Sequence, residues 1–294
     1  MKNTENPQTQ YPRPPFKKQT QSVPGVSKKM DPLPDHGEYS YVGNRLLTGK
    51  VCLITGGDSG IGKAIAIAMA REGADIVIIY LDEIEQEDAA DTEKWVKQAG
   101  RNALLIRGDI RDESFCQSAI YHTLETFGRL DVLVNNAAYQ MSYTSIMDIS
   151  ATEWNKTFET NVSGMFYLSK HAKPHLPPGG SIINTTSVNA YDPNPTLLPY
   201  DATKAAIQNF TSSLAQQFLE EGSGIRVNAV APGPVWTPLI PSTIPDHENF
   251  GKNTPMGRPG QPAEIAPIYV FLASAAASYI SGATIAATGG RVTI

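Results

Sequence analysis

The feature that most constrains the fold is a repeated alternation that begins near Leu47. Short, unbroken runs of apolar and largely β-branched residues are each followed by a stretch with helical spacing. The runs are VCLIT, IVIIYL, NALLI, DVLVN, SIINT, IRVNAVA and ATIAAT, and the stretches between them include GKAIAIAMAREG and YDATKAAIQNFTSSLAQQFLEEG. A strand open to water on one face alternates apolar with polar residues. A strand covered on both faces reads as a continuous apolar run. The order of elements therefore predicts an α/β fold, a single-domain, Rossmann-type, doubly wound parallel sheet of seven strands. Residues 46–294 are assigned to that domain, and a hydrophobic content of 41% suffices to fill its core. No internal repeat is visible.

Residues 1–45 read differently. MKNTENPQTQYPRPPFKKQTQSVPG is rich in Pro, Gln and Lys and poor in aliphatic residues, so by itself it buries too little apolar surface to offset chain entropy. It is expected to be either a disordered tail or an extended arm lying across the body, with Tyr39 and Tyr41 as candidate anchors. These polar, proline-rich residues contain no apolar leader segment, and no apolar run approaches the ~18 residues of a membrane span. A cytoplasmic location without membrane contact is expected. The net charge of −5 argues against nucleic acid as a partner. The two cysteines, Cys52 and Cys116, form no CxxC pair, and the five histidines show no ligand spacing. No metal site or disulfide framework is expected, and the histidines are assigned solvated or capping roles.

After the first strand comes Thr55-Gly56-Gly57-Asp58-Ser59-Gly60-Ile61-Gly62, opening a helix. Gly56 suits a tight turn, Gly60 leaves the phosphate path clear of a side chain, and Gly62 permits close helix–strand packing. A strand–glycine loop–helix unit presents backbone N–H groups and a helix N-terminus to a pyrophosphate. Later in the chain, Tyr200 and Lys204 are four residues apart at the start of a helix, so they share one face. Ser187, thirteen residues before the tyrosine, closes the fifth strand, whose end opens on the same crevice.

The TGxxxGIG spacing, Ser187, and the Tyr200–Lys204 pair together resemble the short-chain dehydrogenase/reductase family. Asn135-Asn136-Ala137-Ala138 matches that family's NNAG segment except at Ala138, and Pro232-Gly233 matches its PG motif. The resemblance runs from about residue 47 to the C-terminus and leaves out the arm. It implies a hydride transfer between a nicotinamide dinucleotide and a carbonyl or alcohol, with Asn161, Ser187, Tyr200 and Lys204 as the catalytic set. The phenol, ordinarily with a pKa of about 10, would be made more acidic by the Lys204 cation. Tyr200 would act as general acid in reduction and general base in oxidation. Ser187 would stabilise charge on the substrate oxygen, and Asn161 would position a water linking Lys204 to solvent.

The implied dinucleotide contacts come from Gly56, Asp58, Ser59, Gly60, Ile61 and Gly62 in the glycine loop and from Tyr80, Leu81 and Asp82 after the second strand. Asp109 and Ile110 follow the third strand and Asn136, Ala137 and Ala138 the fourth. Tyr200 and Lys204 join them, as do Pro232, Gly233, Val235 and Thr237 after the sixth strand. Asp109 matches the family's adenine-binding aspartate. The tip of the second strand departs from both cofactor patterns, with Tyr80 at the usual acidic position and Leu81 at the usual basic one. NAD and NADP both stay open, and with Asp58 in the loop charge favours NAD. Ser187, Asn189 and Tyr200 are candidates to touch the substrate, alongside Val188, Tyr191, Leu197 and Pro234. The proline-rich stretch 237–260 reads as a lid over a small aldehyde, ketone or sugar-like alcohol. The family forms tetramers, so a homotetramer is expected. The competing reading is a non-catalytic dinucleotide sensor on the same fold, which ordinarily breaks the Tyr/Lys set; this chain keeps it. A related enzyme of dehydration or epimerisation would need a longer substrate section.

Overall fold

The computed structural model describes residues 6–291. The predicted strands are β1 Val51–Thr55, β2 Asp75–Tyr80, β3 Ala103–Arg107, β4 Val132–Asn135, β5 Ser181–Thr185, β6 Arg226–Pro232 and β7 Thr284–Ala287. They pair in parallel in the order β3-β2-β1-β4-β5-β6-β7. The order reverses direction between β1 and β4, which opens a crevice at the C-terminal ends of the strands. The helices are α1 Gly60–Arg71, α2 Gln86–Gln98, α3 Glu113–Phe127, α4 Ala151–Phe158, α5 Gly164–Ala172, α6 Leu198–Glu220, α7 Leu239–Thr243 and α8 Pro262–Ala273. Among the described residues no helix is long and apolar enough to cross a membrane.

All five residues of β1 are buried, because each face of the sheet is covered. Cys52 and Ile54 point into one core with Ile78, Val134, Ala64 and Ala68 of α1, and Ala266 and Val270 of α8. Val51 and Leu53 point into the other with Val77, Leu133, Ile120 of α3, Leu168 of α5 and Phe218 of α6. Each large apolar side chain so buried stabilises the fold by about 1.5–3 kcal/mol. Phe218 and Leu214 therefore face their own sheet. Both cysteines are free, buried core residues, and burial raises their thiols above the ordinary value.

The stretch TEWNKTFETNVSGMFYLSKHA, which reads as one long helix, is broken. A π-helical turn at Glu159–Ser163 separates α4 from α5. Asn161 lies in this turn, and its side chain grips the backbone of Tyr139 from both sides, accepting from its N–H at 2.7 Å and donating to its carbonyl at 2.9 Å. Such turns commonly mark functional positions inside helices.

The arm is extended and packed on the body. Arg258 donates to the Pro7 carbonyl at 2.6 Å and 2.9 Å, the Phe16 N–H donates to the Glu248 carbonyl at 2.7 Å, and the Trp236 indole donates to the Pro32 carbonyl at 2.8 Å. The Phe16 ring stacks on Trp236 with centroids 4.3 Å apart. Farther along, the Ser27 N–H donates to Asp88 of α2 at 2.8 Å. Tyr41 is an anchor, its hydroxyl donating to Glu72 at 2.6 Å, whereas Tyr39 stands 89% exposed against the edge of Trp95. Two histidines depart from the solvated or capping role. His36 and His247 are buried in the seam between arm and body, where His247 Nε2 accepts from the Gln19 N–H at 3.3 Å. Replacing Phe16 with Ala removes the apolar anchor of this strap. Limited proteolysis should then cut the arm before residue 24 at least tenfold faster than in the wild type; an unchanged rate would show that Phe16 does not hold it.

Candidate active site

The crevice is walled on one side by α6. The helix begins at Leu198 with Pro199 in its first turn, where a missing N–H costs nothing. Tyr200 follows in that turn and Lys204 lies one turn on. The Lys204 side chain is among the most fully buried in the protein. Its Nζ donates to the Thr185 carbonyl at the end of β5 at 2.8 Å and lies 5.1 Å from the centre of the Tyr200 ring. The Thr186 hydroxyl donates to the Lys204 carbonyl at 2.6 Å, which ties the helix to the end of β5. Ser187 lies beside the Tyr200 phenol and favours its phenolate, and its Oγ accepts from the Asn189 N–H at 3.1 Å.

Burial governs the titration of this pair. It lowers the Lys204 ammonium to about 7. It pushes the Tyr200 phenol up to about 12, against the influence of Ser187, which favours the phenolate. This differs from the expectation that the Lys204 cation lowers the phenol: loss of water on burial is the largest influence on both groups.

A cleft of about 940 Å³ runs along the C-terminal edge of the sheet. The expected dinucleotide residues Gly56, Asp58, Ser59, Gly60, Ile61, Tyr80, Leu81, Asp82, Asp109, Ile110, Asn136, Ala137, Ala138, Pro232, Gly233, Val235 and Thr237 all line it, with Ser187, Asn189, Tyr200 and Lys204. Val188, Leu197 and Pro234 line it as well, whereas Tyr191 lies outside, its hydroxyl accepting from Gln208 at 2.8 Å. Gly62 lies behind the cleft. A Cβ there would meet the Gly56 carbonyl oxygen at 1.9 Å, so only glycine lets α1 approach the loop this closely.

Two expected residues are placed less directly. Asn161 is buried beneath the cleft rather than on it, with Nδ2 donating both to the Tyr139 carbonyl and to Thr203 of α6 at 3.0 Å. Its amide thus holds the fourth-strand loop against α6. Asp109 is on the cleft, but Arg111 Nε engages its carboxylate at 2.8 Å and holds it below the usual carboxylate range despite partial burial.

The cleft fits a nicotinamide dinucleotide. Ser59 caps α1 with no side-chain hydrogen bond to the helix, so the first-turn N–H groups are left for an anion. Gly60 adopts φ +49°, a conformation that favours glycine and bares the backbone.

The structure also brings in residues that no motif announced. Glu85 follows Asp82 on a short turn before α2 and lines the same end of the cleft as Asp58. Asp201, next to Tyr200, is more than a first-turn acid: its carboxylate accepts from Asn189 Nδ2 at 2.7 Å and from the Asn194 N–H at 2.6 Å, pinning the loop above the tyrosine. Burial raises Asp201 to about 6. Val23, Pro24 and Gly25 of the arm form part of the cleft wall. A Pro24–Gly25 contact of this kind leaves no periodic signal in a sequence.

A doubly wound sheet, an uncapped helix over a glycine loop and a Ser/Tyr/Lys wall together define a nicotinamide-dinucleotide-dependent oxidoreductase acting on the carbonyl/alcohol pair. Residues 56–291 match a family model described as enoyl-(acyl carrier protein) reductase. YhdF of Bacillus subtilis, an uncharacterized oxidoreductase, is 52% identical over 270 residues, covering 91% of this chain and 92% of the relative. The glucose and ribitol dehydrogenase of Daucus carota is 43% identical over 285 residues, covering 95% and 97%. Among solved structures, a short chain dehydrogenase from Burkholderia cenocepacia in complex with NADP superposes with a TM-score of 0.77 at 32% identity, covering 83% of this chain and 98% of that one. The chain belongs to the short-chain dehydrogenase/reductase family. Gly62→Ala should weaken dinucleotide binding at least tenfold in a fluorescence titration while far-ultraviolet dichroism stays unchanged; undiminished binding would contradict the close-packed loop.

Proposed function

We propose that this protein reduces a small polyhydroxylated aldehyde, or oxidises the matching alcohol, with Tyr200 as the proton carrier. The observation that carries the chemistry is the convergence of Ser187, Tyr200 and Lys204 on one wall of the dinucleotide cleft. When bound, the dinucleotide supplies or takes up the hydride. Ser187 donates a hydrogen bond to the substrate oxygen, where charge grows during reduction. Tyr200 gives its phenolic proton to that oxygen and takes it back in the reverse direction. Lys204 lies beside the phenol and orients the ribose next to the reacting ring. Asn161 holds α6 and the Tyr139 segment in register, so that these groups stay aligned.

The substrate class rests on the far end of the cleft. Asn189, Asp192, Asn194, Asn249, Asn253 and Arg291 line the cleft beside the apolar Leu239, Ile240, Ile244 and Phe250, and the planar amide and charged groups are suited to vicinal hydroxyls. The carrot relative is named for glucose and ribitol, which is the same chemistry. The stretch 237–260, with α7 at its start, supplies one wall of this end and is proposed as the substrate lid. Of the two dinucleotides we favour NAD, on the charge around Asp58. A homotetramer belongs to the same proposal: Trp154 of α4 and Phe166 of α5 stand 37% and 44% exposed, as surfaces for a second subunit.

Turnover separates this reading from a non-catalytic sensor. Aldoses and simple aldehydes should oxidise the reduced dinucleotide, and Tyr200→Phe should lower kcat at least about a hundredfold with dinucleotide affinity retained. Full activity in that variant would remove Tyr200 from the mechanism. The pH dependence follows from the phenol's position at about 12. Throughout the neutral range Tyr200 stays protonated and ready to donate, so its own titration does not limit reduction. Oxidation needs the phenolate, whose fraction grows about tenfold per pH unit below the pKa, so kcat/KM for the alcohol should climb steadily between pH 6 and 9. An alcohol profile flat over that range would contradict the assignment.

A further inference from the structure

The arm lies outside the matched family model, which begins at residue 56, yet its path crosses the cleft. On one side the Gln21 N–H donates to the Pro241 carbonyl of α7 at 3.4 Å. Gly25 lies so close to Pro238, just before α7, that a Cβ there would meet the Pro238 carbonyl oxygen at 2.4 Å. On the other side the Ser27 N–H is held by Asp88 of α2, and Lys28 pairs with Glu87. Between these anchors Val23, Pro24 and Gly25 line the cleft. The turn also holds its own shape, since the Val26 N–H donates to Gln21 Oε1 at 2.7 Å. Both anchors abut the glycine loop. A Cβ on Gly60 would meet Thr237 at 3.2 Å and Pro238 Cδ at 3.9 Å. The Thr92 hydroxyl of α2 donates to the Asp58 carbonyl at 2.8 Å. The strap therefore crosses the cleft beside Asp58, Ser59 and Gly60, where the first-turn N–H groups of α1 are left for an anion.

Resting on the dinucleotide reading of the cleft, we propose that the arm stretch Val23–Gly25 is a wall of the dinucleotide site that retains the bound dinucleotide, so that seating of the arm and binding of the dinucleotide reinforce each other. Gly25 and Val26 are buried against the body, whereas Val23 and Pro24 are half-buried and keep apolar surface on the cleft. A bound molecule that covers this surface frees it from water and gains close contact. Because the strap is anchored at both ends and shaped in advance, little freedom is lost when it makes that contact. Such contacts act mainly on the rate of dissociation. Val23, Pro24 and Gly25 carry no charge and no polar side chain, so the wall holds NADH and NADPH alike. The coupling is reciprocal: what the arm adds to dinucleotide affinity, the dinucleotide adds to the seating of the arm.

Amide hydrogen exchange on the full wild-type chain, with NADH and NADPH as probes, reads the coupling directly. Saturation with a dinucleotide that binds should slow exchange of the Val26 and Ser27 amides at least tenfold. The Asn44 and Leu46 amides, which the Glu72 carboxylate holds outside the cleft, should slow much less. Two substitutions then loosen the strap from opposite sides. Gly25→Val pushes it off Pro238, and Asp88→Ala removes the acceptor of the Ser27 N–H. In a stopped-flow chase each should release NADH and NADPH at least tenfold faster than the wild type, by the same factor for both. Loss of the Asp88 carboxylate makes the site less negative, which by itself would hold an anionic ligand more tightly, so faster release from that variant reports the strap and not the charge. Melting curves of each variant report on folding independently. Protection at Val26 and Ser27 no greater than at Asn44 and Leu46, or wild-type release rates in both variants, would overturn the assignment of the arm while leaving the oxidoreductase reading intact. Binding of neither dinucleotide to the wild type would overturn both.

Discussion

The proposed catalytic wall depends on the burial of one ammonium group. Lys204 sits one helical turn beyond Tyr200, and its Nζ is held by the carbonyl of Thr185 at the end of β5. That contact joins the helix bearing the phenol to the strand end bearing Ser187. It is affordable only because α6 and the sheet are already locked together by Phe218 and Ala215 in the core and by the Thr186 hydroxyl on the Lys204 carbonyl. Burial that lowers an ammonium to about 7 also leaves it able to change charge at neutral pH. A solvated lysine would hold neither the position nor that sensitivity.

Around this wall, the fold divides its labour by depth. The sheet and its two cores determine where the C-terminal strand ends lie, and the expected dinucleotide contacts come from those ends, the loops that leave them and the first two turns of α1 and α6. Polar groups just below the surface then hold the loops. Asn161 fixes the segment after β4, and Asp201 fixes the one before α6. The arm adds an outer layer: Phe16 stacks on Trp236, the Gln19 N–H meets His247, and the Ser27 N–H binds Asp88 of α2.

Much of this was legible in the residues. Strands such as VCLIT and SIINT announce themselves because two-sided burial demands unbroken apolar runs, and the Tyr200–Lys204 pair does so because helical spacing places both on one face. What stayed hidden depends on contacts without a period. The seat of the arm relies on backbone carbonyls at Pro7 and Pro32 meeting Arg258 and Trp236, far apart in sequence. The π turn at Asn161 comes from a bond to a distant backbone, in a stretch whose spacing is otherwise helical. The expectation of an acidic Tyr200 failed for a related reason: residue types reveal the nearby cation, while the amount of water each group loses is set only when the fold closes.

The most direct measurement is a crystal structure with dinucleotide and an unreactive carbonyl analogue bound. The account requires the analogue's oxygen within about 3 Å of both the Tyr200 and Ser187 hydroxyls, with Lys204 Nζ on the adjoining ribose. An analogue oxygen lodged away from Tyr200, with the nicotinamide ring beyond reach of this wall, would contradict it.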